Sequence, residues 1–279
     1  MSDIADLVAA VIVDYHAGES LNDCVASLRR NGVTDIVLVE NGEPGSMTSI
    51  VRDPAVRMVT PALNLGYGRG VNRGAAATTG TPYLLVSNPD VVVHDGAVSA
   101  LLEALEGDPQ CAVVGPKILR PDGSVYPSHR VFPNMALAAA HALLAPLWPG
   151  NPATKKYRST HVDGTVDWVS GACFIIRREA FEQVGGFDER YFMFAEDMAL
   201  CYAVGQRGYR VRNVDAAVVT HVEGLSRQSA TRSMVWAHHR SAMRFETQRA
   251  TGWRKLLLPV AAAVLGARMV LVLVIKRQK

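Results

Sequence analysis

Two kinds of apolar pattern alternate along this chain. Short apolar runs occupy residues 7–13 (LVAAVIV), 36–39, 83–87 (YLLVS) and 111–115, and residues 56–60 (VRMVT) read as a further strand. Each is bounded by Gly, Pro, Asn or Asp, which is how strands covered on both faces read. Between them apolar residues recur at helical spacing. Leu21, Val25 and Leu28 follow Ser20, which suits an N-cap, and Asn31-Gly32 closes that helix. Further helices are expected over 97–106 and over 178–184, the latter ending at Gly185-Gly186. Residues 166–176 (VDWVSGACFII) read as a strand broken at Ser170-Gly171, and residues 218–220 as a last strand ending at His221. This order predicts an α/β fold with a doubly wound, mostly parallel sheet. Right-handed crossovers then place Asp14, Glu40 and Asp90 on one edge, at the carboxyl ends of strands, where such sheets bind ligands.

Composition adds a boundary. The chain has 279 residues, enough for one large domain with an appendage. Residues 1–226 carry 18 Lys and Arg against 25 Asp and Glu, whereas residues 227–279 carry 11 against 1. An acidic body with a basic tail implies an anionic partner for the tail. Residues 256–275 are apolar with one charge, Arg268, which favours a membrane surface over nucleic acid. Pro259, Gly266 and Arg268 weigh against a clean span, since a central Arg costs roughly 2.5–3.5 kcal/mol on insertion scales. A helix lying in or dipping into the interface is expected, with a span and a soluble core helix as alternatives. The four cysteines are scattered without a C-x-x-C pair and read as reduced core residues. The acidic N-terminus MSDIADL lacks the basic-then-apolar order of a signal peptide, so a cytoplasmic chain is expected.

Candidate chemistry sits at the breaks in the pattern. The strand at 83–87 stops at Asn88-Pro89-Asp90, because Pro89 cannot donate to a ladder. A carboxylate held there suits a hard divalent cation that also touches phosphates; an ordinary Asx-Pro turn is the alternative. Residues 64–74 (NLGYGRGVNRG) form a glycine-rich entry to a helix, able to hold an anion. Their spacing and their place after the third strand disfavour a dinucleotide-binding enzyme. Glu196-Asp197 open a helix behind Phe192, Met193 and Phe194. They serve either the helix dipole or, partly desolvated, as a base. His221 is either structural or a ligand. Residues 127–165, rich in Pro, Ala and His, read as an excursion over a site.

Taken together, VIVDYH, LVENG, NLGYGRGVNRG, LLVSNPDVVV, GACFIIRREAFEQVGGFDERYFMFAED and HVEGLS resemble, in order and spacing, the family-2 glycosyltransferases of the GT-A fold over residues 7–226. Within that family the chain is similar to the actinobacterial cell-wall rhamnosyltransferases, on PDGSVYPS (121–128), APLWPGNPATKKYR (145–158), and DWVSGACFIIRR with VGGFDERYFMFAED. The resemblance implies a GT-A domain over 1–226, with a nucleotide-sugar half at 1–118 and an acceptor half at 119–226. It is followed by a basic helical, membrane-associating tail at 227–279. It implies inverting transfer of L-rhamnose from dTDP-rhamnose to N-acetylglucosaminyl-diphospho-polyprenol, with Mg²⁺ or Mn²⁺ as cofactor, at the cytoplasmic face of the plasma membrane. Asp14, Glu40, Asn64, Gly66, Asn72, Asn88 and Asp90 would bind the nucleotide sugar. Asp90 and His221 would hold the metal, Asp197 would be the base beside Glu196, and Trp168, Gly171, Ala172 and Glu196 would meet the acceptor.

Two positions depart from the family pattern. Ala199 stands where a further carboxylate is usual, and Ala203 where an Arg is. Glu40 also replaces the commoner Asp. The alternatives are transfer of another sugar, such as galactofuranose or glucose, or a weakly active relative that binds lipid-linked glycan. No nucleic-acid partner is expected, and the sequence leaves the oligomeric state open.

Overall fold

The computed structural model describes residues 3–42, 53–132, 150–157, 165–222 and 232–275, with the single positions 45, 51 and 148. The covering role read for residues 127–165 falls largely outside these residues, as do five of the fourteen residues of APLWPGNPATKKYR and the EGLS end of HVEGLS.

The sheet is built on β1 (Val8–Asp14), with β2 (Asp35–Glu40), β3 (Arg57–Val59) and β4 (Tyr83–Ser87) beside it. The other main strands are β5 (Val91–Val93), β6 (Cys111–Leu119), β11 (Cys173–Arg177) and β12 (Arg210–His221). Their spatial order is β3-β2-β1-β4-β11-β6-β12-β5. The β3-β2-β1-β4 half is parallel, as expected. The other half is mixed. β11 enters antiparallel between β4 and β6, β6 pairs parallel with β12, and β5 runs antiparallel at the far edge.

Every residue of β1 is buried, and its alternation decides the layers. Val8, Ala10 and Ile12 face one core, with Leu21, Cys24, Val25 and Leu28 of α2 (Ser20–Arg30) and Val98, Leu101 and Leu105 of α4 (Ala97–Glu106). Ala9, Val11 and Val13 face the other, with Val71 of α3 (Tyr67–Ala75), Phe181 of α6 (Arg178–Gln183) and Leu200 and Val204 of α7 (Glu196–Gln206). Fully burying side chains of this kind contributes about 1.5–3 kcal/mol each, which makes the three-layer stack the dominant stabilising feature. The glycines of α3 belong to this packing: a Cβ at Gly74 would lie 2.4 Å from Val11 Cγ1. The glycine run therefore lets the helix sit directly on β1.

Several elements differ from the sequence pattern. Ser20 is inside α2, where its hydroxyl donates to the Ala17 carbonyl at 2.9 Å; Glu19 is the cap residue and makes no side-chain cap bond. The apolar run 166–176 divides among three ladders: β9 (Thr165–Val166) on β12, β10 (Trp168–Val169) on β8 (His129–Arg130), and β11 in the main sheet. β12 begins at Arg210, eight residues earlier than its apolar core announces, and shifts register between Val214 and Val218. Its polar first half is admitted because β6 and β9 supply the ladder. Beyond the sheet, α8 (Arg232–Arg249) packs on α7, and α9 (Leu258–Ile275) packs on α8. Among the described residues no helix is long and apolar enough to cross a membrane.

Candidate active site

Parallel pairing places Asp14 directly opposite Glu40 at the carboxyl edge. Both are 1% exposed. Asp14 accepts from the backbone N–H of His16 and of Ala17, each at 3.1 Å. Burial raises its pKa, against the pull of those two bonds. Glu40 accepts from Gly45 N–H at 2.9 Å and from the Thr60 hydroxyl at 3.0 Å. Asn41, which sequence reasoning passed over, organises the next loop. Its amide donates to Asn64 Oδ1 at 3.0 Å and to the Gly66 carbonyl at 3.1 Å, and accepts from Leu65 N–H at 2.7 Å. Gly66 has φ +79°, and a Cβ there would lie 2.1 Å from the Phe192 carbonyl oxygen, so only glycine fits. Asn72 is turned elsewhere: it brackets Phe187, donating to its carbonyl at 2.9 Å and accepting from its N–H at 2.8 Å.

The second group forms where β4 ends. Asn88 N–H donates to the Ala172 carbonyl at 2.8 Å. After Pro89 and Asp90 the chain forms β5, whose pairing sets Val91 opposite His221 at the end of β12. That register brings His221 Nε2 to 3.1 Å from Asp90 Oδ1 and 3.3 Å from Asn88 Nδ2. The Asp90 and His221 side chains are each 13% exposed, and His221 Nδ1 is buried without a hydrogen-bond partner. One carboxylate and one imidazole converge on a point still open to solvent. No cluster of three or more His, Cys, Asp or Glu side chains able to hold a metal occurs among the described residues. A hard divalent cation fits the Asp90–His221 pair if a ligand's phosphate oxygens and water complete its shell, the usual way Mg²⁺ is held in phosphate sites.

The third group is the acidic pair at the start of α7. Asp197 accepts from Gly171 N–H and from Met198 N–H, both at 2.8 Å. Glu196 is 7% exposed, and its Oε2 has no partner. Burial, then the adjacent Asp197 charge, pushes Glu196 up to about 8. Burial also raises Asp197, opposed by its two backbone N–H bonds. Those bonds favour the ionised form of Asp197, whereas Glu196 Oε2 has no such partner. The backbone just before the pair is left-handed at two successive non-glycine residues, Phe194 (φ 68°) and Ala195 (φ 60°). Such conformations cost about 1–3 kcal/mol each and persist only where surrounding contacts impose them.

One loop joins the groups. The Gly171 carbonyl accepts from the Tyr67 hydroxyl at 2.6 Å, its N–H holds Asp197, and the Ala172 carbonyl holds Asn88. Tyr67 is the further residue that sequence reasoning missed; its only signal was an aromatic among glycines in NLGYGRG. Burial raises its hydroxyl pKa well above the ordinary value, with Glu196 and Asp197 adding to the effect, so it stays a neutral donor. Trp168 is 8% exposed, with the Arg130 guanidinium carbon 5.3 Å from its ring centroid and its indole N–H buried without a partner. Ala199 lies in an apolar cluster with Tyr191 and Phe245.

The chain is similar to known proteins over most of its length. Residues 9–185 match the family described as "Glycosyl transferase family 2". The chain is 38% identical over 267 residues to N-acetylglucosaminyl-diphospho-decaprenol L-rhamnosyltransferase of Mycobacterium tuberculosis, covering 90% of this chain and 87% of that protein. Among solved structures it is similar in fold to the mannosyltransferase PcManGT from Pyrobaculum calidifontis in complex with GDP-Man and Mn²⁺. There the TM-score is 0.59 at 13% identity, covering 94% of this chain and 73% of that one. It is also similar to a crystal structure of GalNAc-T7 with UDP, GalNAc and Mn²⁺. That match has a TM-score of 0.57 at 17% identity, and the chain covers 43% of the length of that protein.

Proposed function

Since this chain belongs to glycosyl transferase family 2, we propose that it transfers L-rhamnose from dTDP-rhamnose to N-acetylglucosaminyl-diphospho-polyprenol, with inversion. The observation that carries the chemistry is the Gly171–Ala172 bridge. It ties Asn88, beside the Asp90–His221 pair, to Asp197 in one hydrogen-bonded unit, which supports a diphosphate site and a base acting together. The choice of sugar and acceptor is supported by the 38% identity to the mycobacterial rhamnosyltransferase.

Asp14 and Glu40, with Asn64 and Gly66, line the nucleotide-sugar side. Asp90 and His221 are the residues that would hold Mg²⁺ or Mn²⁺. Bound there, the cation supplies the positive charge that a leaving nucleoside diphosphate needs. Asp197 takes the proton of the acceptor hydroxyl, and the protonated Glu196 is placed to donate to the acceptor sugar. A single base and no enzyme nucleophile means one displacement at the anomeric carbon. Tyr67 holds the loop against which the acceptor is seated, and Trp168 walls its far side.

The test is mass spectrometry of the product formed from dTDP-rhamnose and a short polyprenyl-diphospho-N-acetylglucosamine. Addition of one deoxyhexose is expected. Consumption of another nucleotide sugar in a panel, with dTDP-rhamnose untouched, would overturn the donor assignment and leave the family intact.

The same reading puts the tail at the cytoplasmic face of the membrane, where the lipid acceptor lies. Trp236, Trp253, Leu256 and Val260 are all more than half exposed, among Arg240, Arg254 and Lys255. An apolar, basic surface of this kind favours an anionic bilayer. Truncation before Leu256 is expected to weaken co-sedimentation with anionic vesicles; unaltered partitioning would rule out this role.

A further inference from the structure

The backbone that delivers Glu196 and Asp197 is strained and is held from two sides. On one side Tyr67 N–H donates to the Phe192 carbonyl at 3.0 Å. On the other side α8 arrives from far along the chain. The Ser241 hydroxyl donates to the Met193 carbonyl at 2.8 Å, and Gln248 Oε1 accepts from the Tyr191 hydroxyl at 2.9 Å. The His238 ring meets Phe194 edge-on at 5.3 Å between centroids. Phe245 packs between Phe132 and Tyr202, at 5.5 Å and 6.1 Å. Tyr191 and Phe245 are 0% and 2% exposed, and Ser241 is 6% exposed. These contacts fall on Tyr191, Met193 and Phe194, immediately before the two left-handed residues' exit into α7. A left-handed non-glycine pair relaxes unless its neighbours are held.

We propose that Ser241 and Gln248 of α8 are positioning residues for the acidic pair. They fix the carbonyl of Met193 and the ring of Tyr191, and through them the turn that aims Asp197 at the acceptor. The basic tail beyond residue 226, to which α8 belongs, is then part of what makes the active site competent. This rests on the reading of Asp197 as the base.

The experiment uses the full chain and compares Ser241→Ala, Ser241→Thr, Gln248→Met and Asp197→Asn. Donor and acceptor are varied separately, kcat is followed against pH, and nucleotide binding is measured by calorimetry. Loss of one buried hydrogen bond corresponds to roughly a three- to tenfold change. Ser241→Ala and Gln248→Met are expected to lower kcat by about that factor, to move the acid limb of the kcat profile, and to leave nucleotide affinity unchanged. Ser241→Thr, which keeps the hydroxyl, is expected to recover most of the rate. If both α8 variants keep the wild-type kcat and pH profile while Asp197→Asn loses activity, the positioning role is overturned and the base reading stands. A lower yield of folded protein with unchanged kcat per folded molecule also overturns it. If Asp197→Asn retains the rate, the base reading fails, and this inference with it.

Discussion

The two ends of the active site are built on opposite terms. At the nucleotide end, polar side chains are answered by nearby backbone and side-chain groups. Asp14 is closed by His16 and Ala17, Glu40 by Gly45 and Thr60, and Asn41 by Asn64, Leu65 and Gly66. At the base end, Glu196 Oε2 and the Trp168 indole N–H are buried without partners, and the backbone is left-handed at Phe194 and Ala195. Leaving a buried polar group unanswered costs about 1–3 kcal/mol. The end we propose for the nucleotide is thus hydrogen-bonded in advance, whereas the end we propose for the base holds buried polar atoms unanswered beside strained backbone. His221 Nδ1, buried and unpartnered beside Asp90, is where the nucleotide end shares that character.

The sharpest way to break this contrast is at Asp90. Asp90→Ala is expected to abolish turnover and to remove any Mg²⁺- or Mn²⁺-dependent gain in nucleotide affinity. Near-normal activity of that variant in excess EDTA would show that the nucleotide end is not organised around Asp90. Next in size is the base. Asp197→Asn is expected to lower kcat by about 10²–10⁴-fold with donor affinity little changed. A protonated base is inactive, so wild-type kcat falls as pH drops through the Asp197 pKa. Burial raises that pKa, so the acid limb should lie above the ordinary aspartate range. An acid limb in the ordinary range, or a greater rate loss in Glu196→Gln than in Asp197→Asn, would reverse the two roles.

The smallest effect concerns stability. Glu196 is pushed up to about 8, so the folded state holds this proton more tightly than the unfolded chain does. Its contribution is complete below the ordinary glutamate value and is lost as pH rises through about 8. Glu196→Gln keeps a neutral group there at every pH. The Tm of Glu196→Gln minus that of wild type should therefore grow by several degrees between mildly acid and mildly alkaline pH. A pH-independent difference would mean that Glu196 is already answered in the folded protein. The same variant is expected to raise the acceptor KM more than it lowers kcat.

Much of this contrast was legible from residue order. The apolar runs marked β1, β2 and β4, and the breaks after them marked Asp14, Glu40 and Asp90, because a buried parallel strand needs a continuous apolar run and ends where polar residues begin. The acidic pair at the head of α7 was equally plain. Other parts were hidden. The three-residue β5 is too short to carry a period, and it alone brings His221 beside Asp90. Tyr67 and Asn41 look like ordinary loop residues until the Gly171 carbonyl and the Gly66 carbonyl are placed near them. That Gly74, at the far end of the glycine run, packs against Val11 was likewise not readable from the run itself.

By itself the sequence determined the layered α/β class, the family, the strand ends at which Asp14, Glu40 and Asp90 stand, and the basic tail. These follow from local periodicity, strand-end residues and charge, which depend on neighbours along the chain. Only the tertiary structure decided that β11 lies antiparallel between β4 and β6, that Gly171 links Asn88, Tyr67 and Asp197, and that α8 grips the base turn. Those are pairings between segments tens of residues apart, chosen by burial and hydrogen-bond geometry once the layers have packed, and no pattern within a single segment encodes them.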